Sequence, residues 1–149
     1  MSLEQKINEG IKAAMIAKDS ATLRGLRAIK AAILLAKTEK AGIDQLTSDS
    51  EIKVLQKLVK QRKESAEIYK AQGREDLYQI EVEEQQVIER FLPKQLDRSE
   101  IEQIVKEIIQ EVGAVGMKDM GKVMGLANQK LAGQADGKTI SELVKSSLS

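Results

Sequence analysis

Apolar residues recur at every third or fourth position through most of this chain, and that spacing predicts amphipathic helices. Leu3, Ile7 and Ile11 begin the pattern and predict a first helix that reaches about Lys18. The same spacing predicts further helices over about residues 20–40, 48–73, 74–91, 99–112, 119–131 and 139–148. The sequence shows neither strand-like alternation nor a repeat of solenoid length, so it predicts an all-α fold.

Polar residues with capping side chains mark the predicted starts of these helices. Pairs with the spacing of a capping box occur at Ser48 with Glu51, Ser99 with Glu102, and Thr139 with Glu142. The predicted cap of the second helix is Asp19 or Ser20, and that of the sixth is Asp119. Gly42 and Gly73 are predicted stops, because glycine readily adopts the left-handed conformation that ends a helix.

The only proline, Pro93, interrupts the helical pattern near the middle of the sequence RFLPKQLDRSE. Proline has no backbone N–H to donate and restricts the residue before it, so a helix does not continue through it. We therefore predict a helical hairpin or bundle subdomain over residues 1–92. A compact three-helix subdomain is predicted over residues 93–149.

The residue content excludes several classes of protein. Aromatic residues make up 2% of the chain, so its core must be built from aliphatic residues and methionine, which suits packed helices better than sheets. The absence of cysteine removes disulfides and fits a reducing compartment. The apolar runs, such as AAILLA, are far shorter than the ~20 residues that span a bilayer, and the first residues lack the features of a secretory signal. We therefore expect a cytoplasmic protein without a membrane partner.

Catalytic chemistry is difficult to assemble from these residues. The chain has no histidine, the usual general base near neutral pH, and no cysteine nucleophile or Gly-x-Ser-x-Gly elbow. Glu81, Glu83 and Glu84 could in principle hold a metal ion, but an acidic run on a helix is more often a solvated face. We expect no cofactor, no metal and no enzymatic activity from this chain alone.

Basic residues form two candidate ridges despite a formal net charge of +1. Lys53, Lys57 and Lys60 fall on one face of the third predicted helix, and Arg24, Arg27 and Lys30 form a similar ridge on the second. Such ridges can neutralise phosphates. An ordinary solvated surface is the competing interpretation, because glutamates interleave with the lysines. The balanced net charge argues against a strongly basic nucleic-acid-binding module, and we expect no DNA partner.

Six of the ten glycines fall within residues 113–137. Gly113, Gly133 and Gly137 follow helices or lie in predicted turns, where positive φ values are easily adopted. Gly121 and Gly125 lie four residues apart on one face of a predicted helix, so we expect them to admit the close approach of another backbone. A P-loop is excluded, because the stretch lacks the Lys-Ser/Thr order and a preceding strand.

The run DMGKVMGLANQKLAGQADGKTISELVKSSL, residues 119–148, resembles the C-terminal signature of the GatB/YqeY family. The run RFLPKQLDRSEIEQIVKEII resembles the segment that precedes this signature, and the length and layout resemble the stand-alone YqeY-like proteins. The matching motifs are Gly121–Met124, Gly133–Asp136 and Leu143–Lys145. The residues that we assign to a packing signature are Gly121, Met124, Gly125, Gly133 and Asp136.

The resemblance implies an all-helical fold of two subdomains and kinship with the tail of the B subunit of the Asp/Glu-tRNA amidotransferase. That family is linked to carbon–nitrogen ligase activity with glutamine as the amido donor, and the tail helps to hold the tRNA. The resemblance therefore implies a non-catalytic module that associates with tRNA, without the catalytic parts of the enzyme. It favours RNA contact by Lys118, Lys122, Lys130 and Lys138. Lys53, Lys57 and Lys60 are further candidate RNA contacts because of their charge and their spacing on one helix face.

Two other functions remain open. The chain could be a protein-interaction module, or an accessory subunit of an amidotransferase or aminoacyl-tRNA assembly, whose long N-terminal helices offer an apolar groove to a partner helix. It could also be a glutamine-dependent carbon–nitrogen ligase in its own right, which measured glutamine hydrolysis would reveal.

Overall fold

The structure, a computed structural model, describes residues 2–39 and 45–149. Within these residues the regular elements are all helical, which confirms the predicted all-α fold. The chain divides into two compact units, Met1–Leu92 and Pro93–Ser149, here called the N-terminal and C-terminal units. No helix of the described residues is long and apolar enough to cross a membrane.

The N-terminal unit contains the helices α1 (Leu3–Ala17), α2 (Ser20–Glu39), α3 (Ser48–Ala71) and α4 (Glu75–Glu89). Helix α2 packs against α1 and α4, and α3 packs mainly against α4. The core contains Ile7 from α1, Ile29 from α2, Leu55 from α3 and Ile88 from α4, each at most 1% exposed. These residues lie on the apolar stripes of their helices, so their burial drives the packing of this unit.

The C-terminal unit contains α5 (Arg98–Val112), a single 3-10 turn (Met117–Asp119), α6 (Met120–Lys130) and α7 (Gly137–Leu148). Its three α-helices pack on one another around a separate core that includes Val105, Ile108, Val123, Ala127 and Val144. Each of these five side chains is completely buried.

The helix starts lie earlier than several predicted capping boxes. The hydroxyl of Thr47 accepts a hydrogen bond from the backbone N–H of Ser50 at 3.1 Å and caps α3. The carboxylate of Asp97 accepts from the N–H of Glu100 at 2.8 Å and caps α5. Asp136 caps α7 in the same way. The capping boxes predicted at Ser48, Ser99 and Thr139 are therefore wrong. In each polar run an earlier residue already accepts a hydrogen bond from the free N–H groups of the first turn.

Other predicted helix ends agree with the structure. The carboxylate of Asp19 accepts hydrogen bonds from the N–H and the hydroxyl of Thr22, at 3.1 and 2.6 Å, which confirms it as the cap of α2. Gly73 has a left-handed φ of 70°, two residues after α3 ends, which confirms the predicted stop. The predicted stop at Gly42 lies outside the described residues.

Candidate nucleic-acid interface

Helix α6 has one buried face and one exposed face. Val123 and Ala127 lie four residues apart and are completely buried in the core of the C-terminal unit. Asp119 is the N-cap residue of α6, as predicted, but its side chain accepts no hydrogen bond from the first turn of the helix. Its carboxylate instead accepts a hydrogen bond from the N–H of Val115 at 3.0 Å and closes the turn before the helix.

The opposite face of α6 is exposed along its whole length. We call this surface the open face of α6. It comprises Lys118 from the preceding 3-10 turn and Gly121, Lys122, Gly125, Asn128 and Gln129 from the helix. Asn128 and Gln129 were not predicted as site residues. They follow Gly125 by three and four residues, so helical periodicity could have placed them beside it.

Gly121 and Gly125 do not serve packing within the described part of the chain. A Cβ atom built at either position meets no atom within 4 Å. The expected close approach of another backbone at these two glycines is therefore contradicted, because both residues face away from the core that Val123 and Ala127 enter. At both positions the backbone of α6 is therefore exposed and carries no side chain of its own.

The other residues of the packing signature do stabilise the C-terminal unit. Met124 is partly buried against its core. Gly133 is buried and has a left-handed φ of 77°, and its carbonyl accepts a hydrogen bond from the side chain of Gln95 at 2.6 Å. Asp136 accepts a hydrogen bond from the N–H of Thr139 at 2.7 Å and caps α7. Gly137, by contrast, is the first residue of α7 and lies outside the left-handed region.

The four lysines predicted in the C-terminal unit differ in availability. Lys118 and Lys122 are exposed, four residues apart, and no carboxylate of the described residues forms an ion pair with either. Lys130 donates to the carboxylate of Glu111 at 3.1 Å, so its charge is already partly balanced. It also lies about 12 Å along the helix axis from Lys122, at 1.5 Å per residue. Lys138 is exposed on a different helix, in the first turn of α7.

The basic residues predicted in the N-terminal unit form one intact row and one interrupted ridge. Lys53, Lys57 and Lys60 are all exposed on α3, and none forms an ion pair within residues 2–39 and 45–149. Arg24 of the α2 ridge instead forms a salt bridge of 2.8 Å with Glu83 of α4. The ridge that includes Arg27 and Lys30 therefore loses one of its three charges to an internal contact.

The acidic run on α4 balances arginines of its own unit. Glu81 and Glu84 lie 3.9 and 3.6 Å from Nε of Arg62, and their side chains are less than a fifth exposed. Burial raises the pKa of Glu81, the Glu84 carboxylate raises it further, and Arg62 opposes both effects. The sequence suggested a solvated acidic face, but these two carboxylates are mostly buried. Within the described residues, no group of three or more acidic side chains is placed to hold a metal ion.

Comparison with known proteins assigns the chain to a family. A family model described as "Yqey-like protein" matches residues 4–148. The chain belongs to this family. The match extends through both units, and it confirms the resemblance that the C-terminal signature indicated.

Individual relatives of this Yqey-like protein are larger proteins. The E subunit of a glutamyl-tRNA(Gln) amidotransferase from Aeropyrum pernix is 41% identical over 64 residues, which is 40% of this chain and 10% of the relative. Proteins of the same name from Thermococcus gammatolerans and Thermococcus sibiricus are each 44% identical over 54 residues, 34% of this chain and 9% of each relative. The matched residues thus span about a tenth of these curated relatives, and the chain resembles one part of a larger amidotransferase polypeptide.

Proposed function

We propose that this Yqey-like protein is a non-catalytic module that holds tRNA by its phosphate backbone on the open face of α6. The observation that carries the proposal is the pair of exposed glycines, Gly121 and Gly125, next to Lys118 and Lys122, which form no ion pair within residues 2–39 and 45–149. The names of the relatives, which are subunits of a glutamyl-tRNA(Gln) amidotransferase, support tRNA as the partner.

The energetics of α6 support an external partner. Glycine in the interior of an exposed helix is less favourable than alanine by about 1 kcal/mol. Gly125 is in the interior of α6, and Gly121 is in its first turn, where the cost is smaller. The described residues give no internal reason for either glycine, since neither contacts a neighbouring element. A partner whose backbone must lie close to the helix supplies that reason, because a Cβ at either site would hold it away.

The charge of the same face favours a phosphate backbone as that partner. Lys118 and Lys122 have no internal ion-pair partner among the described residues, so both are available to phosphates without the loss of an existing salt bridge. No aromatic residue lies on this face, so the bases of a single strand have no side chain to stack on. The face therefore suits recognition of the shape of a folded RNA more than reading of its sequence.

The test of the proposal is a titration of the full chain with tRNA at several salt concentrations. Each phosphate contact formed by a lysine releases counterions, so the apparent affinity should fall linearly with salt on a double-logarithmic plot. A slope corresponding to about two contacts would fit Lys118 and Lys122. Absence of binding at low salt, or an affinity that does not change with salt, would reject the proposal.

A second candidate, association with an amidotransferase assembly as an accessory protein, is favoured by the same similarity to the amidotransferase relatives. It is compatible with tRNA binding, since such an assembly acts on charged tRNA. Co-purification that survives ribonuclease treatment would distinguish a protein contact from a bridge through RNA. Glutamine hydrolysis by the purified chain would instead show that the module is itself an enzyme.

A further inference from the structure

Helices α2 and α3 leave a groove between them, because each packs chiefly against other helices and the two have fewer direct contacts. The groove, here called the α2–α3 groove, has a volume of about 190 Å³. Its lining includes Leu35, Ala36 and Glu39 from α2 and Val54, Lys57 and Leu58 from α3.

The floor and one wall of the groove are apolar. Leu58 is buried at the floor, and Leu35 stands on the α2 side with 60% of its surface exposed. The volume is below the roughly 300–1,000 Å³ of typical small-molecule sites. The groove therefore suits a few side chains of a partner helix better than a free metabolite.

The α3 side of the groove carries a row of positive charge. Lys57 lines the groove, and Lys53 and Lys60 lie four residues before it and three residues after it, on the same face of α3. None of the three forms an ion pair within the described part of the chain. The carboxylate in the groove lining belongs to Glu39, at the end of α2.

We propose that the α2–α3 groove binds an acidic amphipathic helix of a partner protein. Apolar residues of that helix, spaced at three and four positions, would cover Leu35 and enter the groove above Leu58. Its acidic residues would face Lys53, Lys57 and Lys60. Complementary charge of this kind sets the orientation of the bound helix and speeds its association.

Two other occupants fit the groove less well. RNA phosphates would match the lysines, but they offer nothing apolar to cover Leu35. A second copy of this chain has an acidic run on α4, but Glu81, Glu83 and Glu84 of that run are held by Arg24 and Arg62. The inference does not depend on the tRNA proposal, which concerns a different helix in the other unit.

The test uses the full chain and synthetic helical peptides, with binding followed by fluorescence anisotropy. The probe carries leucines at i, i+4, i+7 and i+11 with glutamates along one flank. One control peptide has the same composition with the leucines spread around the helix, and a second has lysines in place of the glutamates. We expect the probe to bind at least about tenfold more tightly than either control. Equal affinity for the three peptides would overturn the proposal.

Matched variants of the chain locate the site. Leu35→Gln should weaken binding of the probe about tenfold, as loss of a central apolar contact does. Leu34→Gln, which changes an exposed neighbour outside the groove lining, should leave the affinity unchanged. Lys57→Glu should weaken binding about fivefold. Lys63→Glu should not, because Lys63 is outside the groove lining and lies roughly 120° around the axis of α3 from Lys57. Equal effects within either pair would overturn the assignment of the groove.

The same variants separate the alternative occupants. All four changes are at exposed positions, and unchanged circular dichroism would show that each variant still folds. If Lys57→Glu weakened tRNA binding while the peptide bound normally, the row would be an RNA contact and the proposal would be wrong. Self-association of the chain that Leu35→Gln abolished, without any binding of the peptide, would show that a second copy occupies the groove and would likewise overturn it.

Discussion

Gly25 of α2 lies directly against Val87 of α4. A Cβ atom built on Gly25 would be 2.6 Å from both Cβ and Cγ1 of Val87, closer than such atoms approach in folded proteins. Val87 is 2% exposed and cannot swing out to solvent. Helices α2 and α4 therefore meet at a point where only glycine fits.

We predict that Gly25→Ala destabilises the protein. Overpacking a tight contact costs about 1–3 kcal/mol, and the gain from replacing a helical glycine offsets up to about 1 kcal/mol of that cost. Urea denaturation should show a lower midpoint with an unchanged slope. A midpoint equal to or above that of the wild type would show that α2 and α4 separate easily.

The glycines of the open face of α6 should respond in the opposite direction. Gly125→Ala should raise the free energy of unfolding by about 0.5–1 kcal/mol, and Gly121→Ala in the first turn by less, since a methyl group at either site meets no atom of the described residues. Both changes should weaken tRNA binding several-fold, because the methyl group keeps the phosphate backbone away. Greater stability with unaltered tRNA affinity would rule out this face as the contact.

The lysines of the open face should control the salt dependence of binding. The double variant Lys118→Gln/Lys122→Gln should bind tRNA more weakly and reduce the slope of log affinity against log salt by about two, since each lost phosphate contact reduces it by about one. Lys106→Gln on α5 is the control, because Lys106 is exposed and forms an ion pair of 3.2 Å with Glu102 of its own helix. A slope that fell equally in the control would indicate non-specific attraction.

Glu81 should lower the stability of the fold as the pH rises, which is the opposite of the usual effect of a carboxyl group. Because burial and Glu84 raise its pKa in the folded state, the folded protein binds its proton more tightly than the unfolded chain does. Ionisation of Glu81 therefore lowers stability as the pH rises through the raised pKa. We predict that Glu81→Gln is more stable than the wild type at pH 7, and that this difference disappears below the ordinary pKa of glutamate.

Asp19 is the control, because its contribution to stability should change with pH in the opposite direction to that of Glu81. Hydrogen bonds from the side chain and the backbone N–H of Thr22 lower the pKa of its carboxyl group. Its ionised form therefore stabilises the fold above the ordinary pKa of aspartate, and this contribution is lost as the pH falls through the lowered pKa. Asp19→Ala should be less stable than the wild type at pH 7, and the two should converge in acid. Parallel pH curves for the two variants would contradict both assignments.

Helical periodicity predicted the fold, but it fixed the helix starts less well. The apolar stripes through Ile7, Ile29 and Ile88 required helices, and these residues form the core as expected. The starts of α5 and α7 were misplaced because several polar residues in each run have capping side chains. The capping residue is the one directly before the first helical residue, Asp97 for α5 and Asp136 for α7.

The buried and the exposed helical glycines show what the sequence could and could not reveal. Gly25 lies beside Leu26 and Ile29 on the apolar stripe, so periodicity could have predicted its close contact. Gly121 and Gly125 face away from Val123 and Ala127, and the same reasoning could have placed them in solvent. The α2–α3 groove was predicted only in general terms, because its shape depends on which helix pairs pack most closely.

The hydrogen bond from Gln95 to the carbonyl of Gly133 connects residues 38 positions apart. A second bond, from the N–H of Leu96 to the carbonyl of Gln134, reinforces this closure. On the ribosome, the N-terminal unit can therefore complete its core once Leu92 has emerged, since domains fold as units during synthesis. The C-terminal unit must wait for α7, which brings Val144 to its core, and until then the apolar side of α5 is exposed to chaperones and proteases.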